Sequence, residues 1–356
     1  MDSLEQLVQG KALTKHQIAE LGQWMLSEPD RSAAFGLTPG SVEETIHQFA
    51  QLLPRIYPEV EEFWCGDCQI STSPLQTLWR VWMPLALQLA EARRKLNRPL
   101  IQGILGMQGA GKTTLTTVLQ ILLEQLGYSC CCLSIDDLYK TYGERQQLQV
   151  EDPRLKWRGP PGTHDVDLGI QILDQVRANE ADTHLQVPRF DKSAYGGQGD
   201  RSGFETVPTA DIVLFEGWFV GAQPIPPDVF EQAPSPIDTA VDCQFAVEMN
   251  QRLQDYLPLW DRLDRLMVLN LADYQLSKQW RKEAEHKAIA SGNAGMSDGE
   301  IDEFVDYFWK ALHPELFVKP LSTQETGADL VITVNADHTL GDIYQPARRY
   351  WDTPLA

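Results

Sequence analysis

The stretch GMQGAGKTTLT, residues 106–116, decides the fold. It fills the pattern G-x-x-x-x-G-K-[ST] with Gly106, Gly111, Lys112 and Thr113. The glycines let backbone N–H groups converge on phosphates, at a helix N-terminus that already favours anions. Lys112 is expected to neutralise β/γ-phosphate charge and Thr113 to offer its hydroxyl to Mg²⁺. Gln108, Gly109, Ala110 and Thr114 complete the expected nucleotide-binding set. The motif implies a bound nucleoside triphosphate. It leaves open whether the terminal phosphate passes to water, to a protein or to a small-molecule hydroxyl.

The flanks fit the motif. An apolar run, LIQGILG, precedes it, and Leu115, Val118, Leu119, Leu122 and Leu126 follow on one helical stripe that Gly127 ends. Further short apolar runs are CCCLSI, ADIVLFEG, RLMVLNL and ADLVITV. Spaced far apart with helical segments between, they read as buried parallel strands. The expected fold is α/β: a three-layer α/β/α core of the P-loop NTPase type with a mostly parallel sheet, over residues 96–356. Residues 1–95 read as a helical N-terminal extension, with Ser41 and Glu44 as a capping box and a kink expected at Pro84. A second apolar stripe, from Ile301 to Leu312, follows an expected cap at Ser297. The segments WRGPPGTHD and SAYGGQGDRSG read as ligand-binding loops.

Composition narrows the function. The formal net charge of −20 disfavours nucleic acid and anionic membranes as partners, so an anionic ligand needs a local basic cluster. No apolar run approaches the ~18 residues of a membrane span. The N-terminus lacks a secretion signal, and six cysteines in 356 residues make no disulfide scaffold, so the cytoplasm is the expected setting. Nothing in the sequence sets an oligomeric state.

Asp136, in LSIDDLYKTYGER, is expected at the end of the second strand, where it could take a proton from an attacking hydroxyl or help fix Mg²⁺. Its neighbour Asp137 is expected to point away; a plain helix-capping pair is the alternative. Glu216 ends a third strand and resembles the acid that holds Mg²⁺ opposite a phosphate loop. Arg154, Lys156, Arg158, Arg189, Lys192 and Arg201 gather between these two strands and favour an anionic acceptor. A guanine-reading motif is missing, since NLAD at Asn270 lacks the lysine. SAYGGQGD approaches a transporter-ATPase signature, but its glycines would break the helix that signature opens. WCGDC, residues 64–68, approaches a redox motif without the strand and helix that should flank it. The remaining cysteines read as small core residues.

The phosphate loop, SIDDLY, RGPPGTHD, VPRFDKSAYGGQGDR, FEGWF and QWRKEAEHKAI…GMSDGEIDEFV occur in the order seen in D-glycerate 3-kinases of the plant and cyanobacterial type. The chain resembles that family over about residues 98–356. The family belongs to the P-loop group that includes phosphoribulokinase, uridine kinase and pantothenate kinase. The resemblance implies transfer of phosphate from ATP, with Mg²⁺, to a hydroxyl of D-glycerate. It implies Asp136 as the base, and a substrate side with Asp165, Arg189, Asp191 and Lys192; Arg158 and Arg201, from the basic set above, complete the expected acceptor side. It also implies a lid around residues 275–300, with Arg281, Lys282 and Lys287 near the phosphates. Catalysis is thus expected from Lys112, Asp136 and Glu216, metal binding from Thr113, Asp136 and Glu216, and further ATP contact from Arg281. A kinase for another small acceptor, or a P-loop ATPase without one, is the alternative reading.

Overall fold

The computed structural model describes residues 2–66, 73–178, 184–290, 295–324 and 327–346. Among the described residues eight strands are found: β1 (Leu100–Gly106), β2 (Cys130–Ser134), β3 (His184–Asp191), β4 (Asp200–Pro208), β5 (Ile212–Gly217), β6 (Arg265–Leu271), β7 (Leu330–Val334) and β8 (Leu340–Tyr344). Six form one sheet in the order β2-β5-β1-β6-β7-β8. All neighbours in it are parallel except β7 and β8. The five apolar runs in the sequence are the five parallel strands. They are continuous rather than alternating because both faces are covered. Along β5, Ile212 and Leu214 face one hydrophobic cluster while Val213 and Phe215 face another.

The N-terminal helices pack into the first of these clusters. In the helix Val42–Gly66, the side chains of Ile46, Phe49, Leu53, Ile56 and Val60 recur at helical spacing and are fully buried. They share the cluster with Val118 and Leu122 of the phosphate-loop helix, Lys112–Gln125. This burial outweighs two prolines, Pro54 and Pro58, inside the helix. The short helix Pro29–Ala34 covers the exposed edge of the sheet: Arg31 donates to the Gly341 carbonyl at 3.1 Å, and Gln345 to that of Ala34 at 3.2 Å.

Several local expectations change. The reciprocal cap before Val42 joins Thr38 to Ser41, each backbone N–H donating to the other's hydroxyl, rather than Ser41 to Glu44. The segment before Pro84 is not plain α-helix. A π-helical turn, Leu78–Trp82, precedes the helix Met83–Leu96, and the Met83 N–H reaches the Leu78 carbonyl. Widening that turn makes room for a ring that would otherwise press on the carbonyl four residues back. The segment read as a glycine-rich loop is the tip of a hairpin of β3 and β4, with only its last four residues, Asp200–Gly203, inside β4. That tip holds a 3₁₀ turn, Tyr195–Gly197, and leads into β4 rather than an α-helix, so the transporter-ATPase reading falls. Trp64 and Cys65 close the long N-terminal helix, and Cys68 lies outside the described residues. The Ser297 cap is present, with Glu300 as its partner.

Because the N-terminal helices and the phosphate-loop helix share one hydrophobic cluster, Phe49→Ala should destabilise the whole chain by about 3–5 kcal/mol. Calorimetry should record one transition at a lowered temperature. An unmoved main transition beside a new early one would show that the N-terminal helices unfold on their own.

Candidate active site

β1 ends at Gly106 and the chain turns through Gly109 and Gly111, both at positive φ, into the helix that starts at Lys112. Gly109 is restricted twice over. Its φ is +79°, and a Cβ there would sit 2.9 Å from the ring of Trp280. Trp280 belongs to the helix Leu276–Ala290, stacks on His338 and donates to the Ala336 carbonyl at 3.4 Å. That helix is thereby pinned across the phosphate loop. A tryptophan in the otherwise polar run QWRKEAEHK was the sequence signal for this contact.

Two neighbouring strands end level with β1. Ser134 of β2 pairs with Glu216 of β5, and Leu105 of β1 with Gly217. Beyond Ser134 the chain makes a tight 3₁₀ turn, Ile135–Leu138, held by a reciprocal cap. Asp136 N–H donates to the Ser134 hydroxyl at 3.2 Å, and Ser134 N–H donates to the Asp137 carboxylate at 3.2 Å. Asp137 also accepts from Arg189, again at 3.2 Å. This leaves Asp136 lining a cavity of about 1060 Å³, together with Lys112, Thr113, Tyr139, Lys192 and Glu216. The pair of acids divides its work: Asp137 caps the turn and Asp136 faces the cavity.

The charges inside are tightly matched. Lys192 Nζ lies 2.6 Å from Asp136 Oδ2. Burial alone would raise the Asp136 pKa, but the charge and hydrogen bond of Lys192, with a further bond from Tyr139, bring it below the usual carboxylate value. Glu216 is pushed up by burial, only partly offset by Lys112, whose Nζ is 4.0 Å away. Lys112 in turn is pushed down by burial and supported by Glu216 and Asp136; it also donates to the Met107 carbonyl at 3.2 Å. Beneath Tyr139, His164 stacks at 4.6 Å and meets the Tyr256 hydroxyl through Nδ1 at 2.7 Å. Burial lowers its pKa to about 3, so this imidazole is neutral.

The expected acceptor-side residues do not all reach the cavity. Arg158 and Lys192 line it; Asp165, Arg189 and Arg201 do not. Asp165 accepts from the Leu168 N–H and pairs with Arg201 at 3.1 Å, and Arg201 also reaches the Tyr139 carbonyl. Arg189 bridges Asp137 and Glu205. These three brace the turn and the hairpin. Arg281 lines the cavity and pairs with Glu285, while Lys282 is drawn off to Asp302 at 2.8 Å. Gln108, Gly109 and Thr113 line the cavity, and Gly106, Ala110, Gly111 and Thr114 form the loop and first turn around them. Sequence reasoning missed Tyr139, His164 and Arg145, all of which the fold brings to or beneath the cavity.

No family model matches the chain. It is similar to the chloroplastic D-glycerate 3-kinase of Arabidopsis thaliana, with 33% identity over 326 residues, covering 85% of this chain and 68% of that protein. It is also similar to the uncharacterised kinase mug58 of Schizosaccharomyces pombe, with 34% identity over 222 residues, covering 60% of this chain and 79% of that protein. Among solved structures, D-glycerate 3-kinase from Cryptococcus neoformans superposes with a TM-score of 0.66 at 27% identity, over 74% of this chain and 97% of that one. A match of that identity over 85% of the chain is more than a shared nucleotide motif gives: the chain belongs to the D-glycerate 3-kinase family.

Proposed function

We propose that this protein transfers the γ-phosphate of ATP to a hydroxyl of D-glycerate, giving 3-phosphoglycerate. The observation that carries the reading is a single cavity with phosphate-loop residues on one side and Asp136, Lys192 and Arg158 on the other. Its volume of about 1060 Å³ leaves room for an acceptor beside the nucleotide. Lys112 neutralises β/γ-phosphate charge and Arg281 approaches from the lid. Asp136 accepts the proton of the attacking hydroxyl as oxygen bonds to the γ-phosphorus and ADP leaves. Lys192 keeps Asp136 ionised, and Tyr139 fixes its direction.

The donors that the cavity offers beside the phosphate loop are the Thr113 hydroxyl and the Asp136 and Glu216 carboxylates. An all-oxygen set suits Mg²⁺, whose remaining positions phosphate and water would fill. Burial already strains the ionised form of Glu216, so added positive charge there is favourable. When bound, Mg²⁺ would neutralise charge on the phosphate oxygens.

An assay that detects ADP, run with D-glycerate, uridine, pantothenate and ribulose 5-phosphate in parallel, tests the reading. Turnover should be slow until D-glycerate is added; stimulation by another acceptor alone would contradict it. Asp136→Asn should lower kcat by at least ~10²-fold while nucleotide binding persists. A mild effect, with Asp137→Asn the damaging change, would reverse the roles of the pair. Lys192→Met has a distinct signature. With its cation gone, burial raises the Asp136 pKa, so the acidic limb of the kcat/KM profile should move to higher pH. An acidic limb that stays where it is would mean that Asp136 is not the titrating base.

A further inference from the structure

Charge pairing sorts the basic residues around the acceptor half of the cavity into two kinds. Arg154, Lys156, Arg189, Lys192 and Arg201 each meet a carboxylate. Arg145 and Arg158, which both line the cavity, form no salt bridge among the described residues. Their partners are backbone carbonyls. Arg145 donates to Lys140 at 3.0 Å, to Gln198 at 2.8 Å and to Gly199, and Arg158 donates to Gly197 at 2.7 Å. Both guanidinium groups lie against the ring of Phe190, 5.3 and 5.4 Å from its centroid. They are thus oriented by the hairpin tip and by an aromatic surface, but not neutralised.

The electrostatic cost is visible at Arg145, whose pKa is lowered by burial and then by the charge of Arg158. Asp200 is the acid whose charge reaches it, yet Asp200 Oδ1 is already engaged by the N–H groups of Tyr142 and Arg201, at 2.7 and 2.8 Å. Two oriented cations with N–H groups to spare and no carboxylate of their own make a site for a small planar anion.

We propose that Arg145 and Arg158 together grip the carboxylate of the acceptor, with Arg145 the residue that selects an acid over a neutral polyol. The identity of that acid rests on the D-glycerate reading above. The anion is the acceptor's rather than the nucleotide's because of where Arg158 stands. It lies 5.9 Å from the centre of the Tyr139 ring, and Tyr139 and Asp136 line the same cavity. Phosphate charge is met elsewhere, by Lys112 and Arg281. A short hydroxy acid held by its carboxylate at the two guanidinium groups turns its hydroxyl end toward Asp136. Glycerol offers the same hydroxyl but leaves two neighbouring cations unmatched, so it should be a very poor substrate.

The test compares wild type, Arg145→Lys and Arg145→Met, with KM for ATP and melting temperature measured alongside acceptor kinetics. Arg145→Met should raise the KM for D-glycerate at least ~10-fold, the range for losing a hydrogen bond to a charged group. It should leave the KM for ATP unchanged and should not lower the slow turnover of glycerol, since one unmatched cation has gone, and Arg145→Lys should recover part of the loss. If Arg145 only props the hairpin tip, turnover of glycerate and glycerol will fall together, and the inference is overturned. Wild-type turnover of D-glycerate with no change in its KM in Arg145→Met overturns the inference alone and leaves the kinase reading intact. Wild-type turnover of pantothenate instead, with its KM raised in Arg145→Met, keeps the carboxylate grip and removes glycerate. Turnover of uridine alone, indifferent to Arg145, removes both.

Discussion

Three parallel strands ending level with one another set everything that follows. Ile104 of β1 and Ser134 of β2 both pair with Glu216 of β5, which lies between them. The phosphate loop, the turn that carries Asp136 and the Glu216 carboxylate therefore gather at the C-terminal end of these strands. The core enforces this alignment. Leu214 and Phe215 face different hydrophobic clusters, so a slip of one residue would exchange every buried side chain of β5 with the opposite face. The site's precision is inherited from packing that touches no ligand.

That hierarchy also decides what could be read from the sequence. The phosphate loop, Asp136 and Glu216 each directly follow or end an apolar run, and such runs announce themselves. The β3–β4 hairpin did not, because most of β4 is exposed or half-buried and glycines interrupt both the strand and the tip. β8 is a five-residue edge strand with no apolar run, and was missed for the same reason. Around the acceptor, sequence could count cations but not pair them. Arg189 and Arg201 looked like substrate ligands until their carboxylate partners, Asp137, Glu205 and Asp165, folded up beside them. Arg145 looked like one more charge on a polar helix, and only the absence of a counter-charge within the described fold sets it apart.

The acidity of the chain gives this local pattern its meaning. With a net charge of −20, a carboxylate is available to most basic side chains, and most of those near the cavity have one. Cations kept without such a partner, half-buried and oriented by carbonyls, are a departure from the rest of the surface. The aromatic floor contributes by stiffness rather than charge. Tyr139, neutral His164 and Tyr256 hold one another in place beside Asp136, so that carboxylate is surrounded on this side by uncharged groups. The helix Leu276–Ala290 adds a second constraint, through Trp280 on Gly109.

A crystal structure of the protein with D-glycerate and a non-hydrolysable ATP analogue tests the central claim most directly, because it locates both ends of the acceptor at once. The account predicts the glycerate carboxylate between Arg145 and Arg158, a hydroxyl within hydrogen-bond reach of Asp136, and the terminal phosphate against Lys112. Glycerate bound with its carboxylate on Lys112 or Arg281, or with no hydroxyl near Asp136, would contradict it.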